Sequence, residues 1–243
     1  MFKRSPSLTE QVKSHLKQRI INAEFDGGRM PPEMELAREL KVSRNTVRDA
    51  LGRLETEGVI LRRQGAGTFI NQVGQLVKNR LEEIIPYEAL IRESGYVPTV
   101  RLLSAQQKQV PAEVTTHLHL SPDEELLIVQ KLFLADDKPV ILTLTYIPPD
   151  IIKQPYTQDD CRLPVYEFIP QFCRQEFAYY LSEIVPLIAT SWLAERLDLP
   201  EEGGALLTFE ETGYNQDNQP IVRACSHFRH DLLRLRLIRR LAR

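Results

Sequence analysis

The segment Met30–Ile70, MPPEMELARELKVSRNTVRDALGRLETEGVILRRQGAGTFI, constrains the fold more than any other part of this 243-residue chain. Pro31-Pro32 opens a helix, because proline is tolerated in a first turn. Leu36, Ala37 and Leu40 form its apolar stripe, and Lys41-Val42 reads as a short turn. Ser43 is a good N-cap for a following helix whose inner face is Val47, Ala50, Leu51 and Leu54, stopped at Gly58. Val59–Arg63 and Thr68–Ile70 are strand-like runs around Gln64-Gly65-Ala66-Gly67, a hairpin with a glycine-rich tip. Upstream, Val12, Leu16, Ile20 and Ala23 keep helical spacing over 8–24, and Asp26-Gly27-Gly28 ends that run.

Three helices followed by a hairpin make a winged helix-turn-helix. The helix capped by Ser43 projects Arg44, Asn45, Thr46 and Arg48 from its first turns, away from its apolar face. A recognition helix enters the major groove with its N-terminal residues leading. Arginine can bridge guanine O6 and N7, and asparagine can bridge adenine N6 and N7. Ser43 and Thr46 suit phosphate oxygens, as does the helix N-terminus itself. Arg62, Arg63 and Gln64 bring polar groups to the wing, and Gly65 and Gly67 let its tip approach DNA without a Cβ in the way.

Beyond this segment the pattern changes. Hydrophobic patterning lapses from Asn71 to about Asn79, with Gly74 in the middle, which reads as a linker; a helix over Leu81–Glu93 is expected to follow and to end at Gly95. Two later stretches run in the same order. Pro111–Pro148 gives helix, Leu118-His119-Leu120, strand, the turn Asp136-Asp137-Lys138-Pro139, and strand. Pro186–Phe228 gives helix, Leu197-Asp198-Leu199, strand, the turn Gln216–Pro220, and strand. Hairpins imply antiparallel pairing, so an α+β domain of two related helix-hairpin units is expected. The domains read as 1–72, a linker over 73–80, and 81–243.

Charge follows the same division. Residues 1–72 carry 13 Lys and Arg against 9 Asp and Glu, a net of +4; the remainder carries 18 against 24, a net of −6. A basic first third beside an acidic remainder suggests two domains with different partners. No apolar run is long enough to span a bilayer, and no apolar stretch follows Met1–Pro6 to make a secretory signal. Cys161, Cys173 and Cys225 are an odd count without a CxxC, which reads as reduced, buried thiols of a cytoplasmic protein. The histidine pairs His117/His119 and His227/His230 lack zinc-like spacing, so no metal or other cofactor is expected. No nucleophile motif or dinucleotide loop marks a catalytic residue, and an enzyme is not expected.

At this point a resemblance is plain. Pro32-Glu33 with Leu36-Ala37, Val42-Ser43-Arg44 with Thr46-Val47-Arg48, Ala50-Leu51, Leu54, Glu57-Gly58 and Gly65-Ala66-Gly67-Thr68-Phe69 resemble, in order over about forty residues, the DNA-binding domain of the GntR family of bacterial repressors. Pro32 stands where that family usually has serine. The resemblance implies DNA contacts by Ser43, Arg44, Thr46, Arg48 and the wing glycines, with Glu33 near the interface. The C-terminal part resembles more loosely the effector (UTRA) domain of the family's HutC branch, of chorismate-lyase-like fold. That likeness rests on Leu134-Ala135-Asp136 with Pro139, Tyr146-Ile147-Pro148, Val165-Tyr166-Glu167, Leu197-Asp198-Leu199, and Pro220 followed by Phe228-Arg229 and Asp231.

The resemblance also speaks to the ligand. Phosphosugar-responsive members of that branch carry arginines, a serine and two glutamates at positions that here hold Lys131 and Phe133, Pro164, Thr143 and Arg223. An effector other than a phosphosugar is therefore expected, such as a more apolar carboxylate held by Lys131 or Arg223, with Tyr146, Tyr166 and Tyr214 as further pocket candidates. The reading is a homodimeric regulator, a repressor, binding a near-palindromic double-stranded operator under control of a small molecule. Two alternatives stay open: a constitutive DNA-binding protein with a non-functional effector pocket, and a lyase-like enzyme. The arginine-rich tail, Arg234 to Arg243, reads as a solvated terminal helix.

Overall fold

The computed structural model describes residues 7–72, 84–200 and 204–235, which fall into two compact units divided between 72 and 84. The expected linker 73–80, the start of the expected helix at Leu81 and the tail beyond Leu235 lie outside the described residues.

In the first unit α1 spans Leu8–Ile21, with the Ser7 hydroxyl accepting from the Glu10 amide at 3.3 Å. Val12, Leu16 and Ile20 are buried as their spacing requires. The helix stops three residues short of the expected end at 24. Ala23 takes a left-handed conformation (φ 56°), and the Glu24 amide returns to the Arg19 carbonyl at 3.0 Å. This reversal brings Phe25 into the core. Helix α2 is Glu33–Leu40 and ends on left-handed Lys41. Helix α3 is Arg44–Thr56, capped by Ser43, whose hydroxyl accepts from the Thr46 amide at 3.1 Å. Val47, Ala50, Leu51 and Leu54 are fully buried against α1 and α2. Strands β1 (Ile60–Arg63) and β2 (Gly67–Ile70) pair in the register Ile60↔Ile70 to Arg63↔Gly67, so the wing tip is Gln64-Gly65-Ala66. The segment before α2 joins the wing through an antiparallel bridge of Arg29 with Phe69.

The second unit is a six-stranded sheet, antiparallel throughout. Its elements are α4 (Tyr87–Glu93), β3 (Pro98–Gln109), α5 (Ala112–His117), β4 (Glu125–Ala135), β5 (Lys138–Ile147), α6 (Val165–Phe168), β6 (Phe177–Ile188), α7 (Ser191–Leu197), β7 (Ala205–Asn215) and β8 (Pro220–Arg229). The strand order is β3-β4-β5-β8-β7-β6. It is the product of two strand-helix-hairpin repeats, β3-α5-β4-β5 and β6-α7-β7-β8, joined through their last strands by the pairing Thr143↔Ser226. The repeat is thus one strand longer than the sequence pattern implies, and Pro186 lies inside β6 instead of opening a helix. Proline fits there because β6 is an edge strand, where one row of N–H groups has no ladder to join.

Local devices match between the repeats. His119 and Asp198 both adopt left-handed conformations after their helices. The following leucine amides, Leu120 and Leu199, return to Thr115 and Ala194, each at 2.9 Å. Asp136 and Asp137, both with positive φ, form a two-residue hairpin loop. Helix α4 begins only at Tyr87, not Leu81, because Pro86 sits at its N-cap and a proline is not accommodated in a helix interior.

Side chains alternate across the sheet. One face carries Lys131, Phe133, Thr143, Ser226 and Phe228, and further along it Leu127 and Val129 meet α6 and the segment after it. The other carries Leu132, Leu142 and Leu206, which pack on Leu193 and Leu197 of α7. It also carries Ile128 and Tyr146, which pack beside Leu118 at the end of α5.

Candidate functional site

In the first unit two of the expected DNA-contacting residues, Arg44 and Arg62, meet on the carboxylate of a third, Glu33. Glu33, in the first turn of α2, accepts from Arg44 Nε at 3.0 Å and from Arg62 Nη2 at 2.5 Å. The first residue of the recognition helix and the first strand of the wing are thereby tied to α2. Arg44 donates through Nε, so its two Nη groups stand at the outer end of a side chain that is 62% exposed. Arg48 Nη2 donates to Asn45 Oδ1 at 2.8 Å, one turn back on the same exposed face. Ser43 Oγ and Thr46 Oγ1 share a hydrogen bond at 2.8 Å beside the helix N-terminus. Glu33, Arg62, Arg63, Gln64, Gly65 and Gly67 line one open cleft beside the wing.

The wing has an internal support that the sequence did not reveal. Arg29 Nη2 donates to the Ala66 carbonyl at 2.9 Å, and its guanidinium stands 5.8 Å from the Phe69 ring centroid. Arg63 lies over that ring at 5.3 Å. A Cβ on Gly67 (φ 113°) would lie 3.3 Å from Arg29 Nε and Nη2, so glycine there serves the close approach of Arg29 as well as the backbone conformation. Gly65 (φ 74°) has open space around it. Arg29 escaped notice because it lies in an irregular segment without periodicity. Three further cations of this unit are committed elsewhere: Lys13 and Lys17 pair with Glu57 at 2.9 and 3.2 Å, and Arg53 with Glu10 at 2.7 Å, tying α1 to α3.

In the second unit the expected effector residues divide between the two faces of the sheet. Lys131 and Thr143 are cross-strand neighbours on one face, and Phe133 lies two residues along it. Lys131 is buried, and its ammonium donates to the carbonyls of Arg162, at 3.2 Å, and Leu163. Burial lowers its pKa to about 8. Phe133 stands edge-on to Tyr87 at 5.3 Å, as does Phe228. The Tyr87 hydroxyl donates to Ser226 Oγ at 2.9 Å, and burial raises its pKa. On the same face, Glu211 accepts from Ser182 Oγ at 2.6 Å, and burial raises its pKa as well. Tyr166, on α6, has its pKa raised by burial and by the charges of Glu88 and Glu167.

Arg223 and Tyr146 are paired with each other on the opposite face. Arg223 is buried there, donating through Nη2 to Glu210 at 2.9 Å and through Nη1 to Thr212 at 3.2 Å, so both arms of its fork already have internal partners. Tyr146 packs beside α5, with its pKa raised to about 12 by burial. Tyr214 stacks on Tyr179 at 5.1 Å near the end of β7. The structure therefore does not bring Arg223, Tyr146 or Tyr214 to Lys131. In β8 it is Ala224, not Arg223, that shares the face of Thr143, because shifting by one residue along a strand turns the side chain to the other side. Tyr87 and Ser226 were missed. The signal for Tyr87 was its place directly after Pro86, where a helix starts.

Among the described residues no group of three or more His, Cys, Asp or Glu is placed to hold a metal ion, and no helix is long and apolar enough to cross a membrane. Cys161 and Cys173 are buried free thiols. His227 is buried beside Thr208, with its pKa lowered to about 4 by burial.

With this geometry in hand, comparison with known proteins gives consistent findings. The family model for bacterial regulatory proteins of the gntR family matches residues 8–70, and that for the UTRA domain matches residues 93–234. The HTH-type transcriptional repressor NagR of Bacillus subtilis is 26% identical over 222 residues, covering 91% of this chain and 90% of NagR. The HTH-type transcriptional regulator Rv0792c of Mycobacterium tuberculosis is 30% identical over 224 residues, covering 90% of this chain and 81% of that protein. Among solved structures, YydK of Bacillus subtilis, described as a possible transcriptional regulator, shares the fold, with a TM-score of 0.75 at 15% identity over 97% of this chain and all of that one.

Proposed function

Since the chain belongs to the GntR family of bacterial transcription regulators and carries a UTRA domain, we propose that it is a homodimeric repressor of the HutC branch that binds a near-palindromic operator and is controlled by a small molecule other than a phosphosugar. Residues 1–72 are the DNA-binding domain, 73–80 the linker and 81–243 the effector-binding and dimerisation domain. The observation that carries the DNA-binding half is the meeting of Arg44 and Arg62 on Glu33, which holds recognition helix and wing together. The relative NagR bears the name of a repressor. A dimer would present two recognition helices about 34 Å apart, one helical turn of DNA. The effector would act by binding the DNA-compatible and DNA-incompatible states with different affinity.

Sheared genomic DNA incubated with the protein at about 0.15 M salt should yield a few enriched intergenic palindromes, because non-specific phosphate binding is weak at that salt. Enrichment no greater than background, with and without added cell metabolites, would remove the DNA-binding reading.

The effector half of the proposal rests on Lys131 and Phe133. A phosphate site needs forked or convergent cations, but the lysine is bonded to backbone carbonyls and the phenylalanine lies against Tyr87. Titration calorimetry with glucosamine 6-phosphate should therefore show a Kd weaker than about 1 mM. Micromolar binding would overturn this part of the proposal.

A further inference from the structure

The wing is a small element that has to hold one shape. Its strands β1 and β2 have four residues each, and a two-stranded hairpin by itself is marginally stable in water. Gly65 and Gly67 at its turn both have positive φ, and glycine loses more conformational freedom than other residues when it is fixed. The strand end of the hairpin is held from outside by the main chain: the Met30 amide donates to the Thr68 carbonyl at 2.9 Å, and Arg29 bridges to Phe69. The tip, residues 64–66, is held differently. Among the described residues Arg29 is the one side chain from outside the hairpin that is hydrogen-bonded to it, through Nη2 on the Ala66 carbonyl at 2.9 Å. The same guanidinium lies over the Phe69 ring, and the absence of a Cβ at Gly67 leaves it room to do so.

We propose that Arg29 is a positioning residue for operator binding: it fixes the wing tip in one geometry and does not itself touch DNA. This rests on the DNA-binding reading above. A tip that is free to move must be ordered when it meets DNA, and the freedom lost then lowers affinity; a tip already held by Arg29 avoids that cost. The surroundings of Arg29 favour this role over a phosphate contact of its own. Its guanidinium is engaged by the Ala66 carbonyl and the Phe69 ring. Asp26 and Glu35 line the same cleft, so a phosphate approaching Arg29 would meet two carboxylates. Glu33, the third acid of that cleft, is bonded to Arg44 and Arg62.

Operator affinity and tip order, measured on the full-length wild type and on Arg29→Ala, are the test. Fluorescence anisotropy on the operator recovered by the genomic selection should show binding about 5- to 10-fold weaker in the variant. Amide nitrogen relaxation at Gly65 and Ala66 of the free protein should show order parameters falling from about 0.85 to below about 0.6. Arg29 is exposed, so the variant should melt like the wild type. Arg29→Lys, which keeps the charge without the planar fork, serves as a second variant should the first not fold. Weaker binding with a tip equally ordered, or equally mobile, in both proteins marks a direct DNA contact and overturns the positioning role. A change in affinity below threefold overturns it as well. A wild type that selects no operator removes the DNA-binding reading, and this inference with it.

Discussion

Replacing Arg44 by alanine is expected to lower affinity for the operator by about 10- to 100-fold, which corresponds to ~1–3 kcal/mol for loss of one bidentate base contact. Arg44 is the first residue of α3, directly after the Ser43 cap, where a recognition helix leads into the groove. Its Nε is held by Glu33, and this orients a guanidinium whose rotamer freedom would otherwise be lost on binding. An exposed ion pair of this kind contributes little to folding stability, so the variant should melt like the wild type. Fluorescence anisotropy on the operator and on single base-pair variants is the measurement. Loss of affinity together with loss of discrimination at one position identifies a base contact. Equal loss across all sequences, with a shallower salt dependence, would identify a phosphate contact instead. A change below threefold would overturn the role assigned to Arg44.

The second large effect is on stability. Leu142 is fully buried in β5, the strand through which the two repeats join. It packs with Leu132 and Leu134 of the first repeat and with Leu193, Leu197 and Leu206 of the second, so α7 of one repeat closes over strands of the other. Leu142→Ala removes apolar contacts and leaves a cavity among neighbours fixed by the sheet. The expected cost is about 2–5 kcal/mol. For a unit of this size that is a fall in Tm of about 5–15 °C. Leu103→Ala, on an exposed stretch of β3, should change stability by less than about 0.5 kcal/mol. Urea unfolding of both variants measures the difference, and equal midpoints would contradict the packing described for the two repeats.

Much of the first unit was legible in the sequence, because its elements are short and its signals local. The stripe Val47-Ala50-Leu51-Leu54, the Ser43 cap and the Gln64–Gly67 tip each depend on neighbours within a few residues. The errors were also local: Ala23, a residue without the usual freedom of glycine, takes the left-handed turn that ends α1 early. In the second unit the hairpin loops and the leucine-x-leucine helix ends were legible for the same reason. Strands β3 and β6 were not. An edge strand is half exposed, so its sequence need not alternate cleanly, and its partner lies far along the chain.

What the sequence by itself determined is the local build of the first unit: a capped helix presenting Arg44, Asn45, Thr46 and Arg48, then a glycine-tipped hairpin. What only the tertiary structure decided is which distant side chains share a surface. Glu33 joins Arg44 to Arg62, and Arg29 supports the wing, through contacts between elements that no spacing encodes. Lys131 and Thr143 lie on one face with Tyr87 and Ser226, while Arg223 lies on the other. The reason is the two-residue period of a strand: one position along the chain decides between opposite faces, and only the pairing of the strands fixes which face that is.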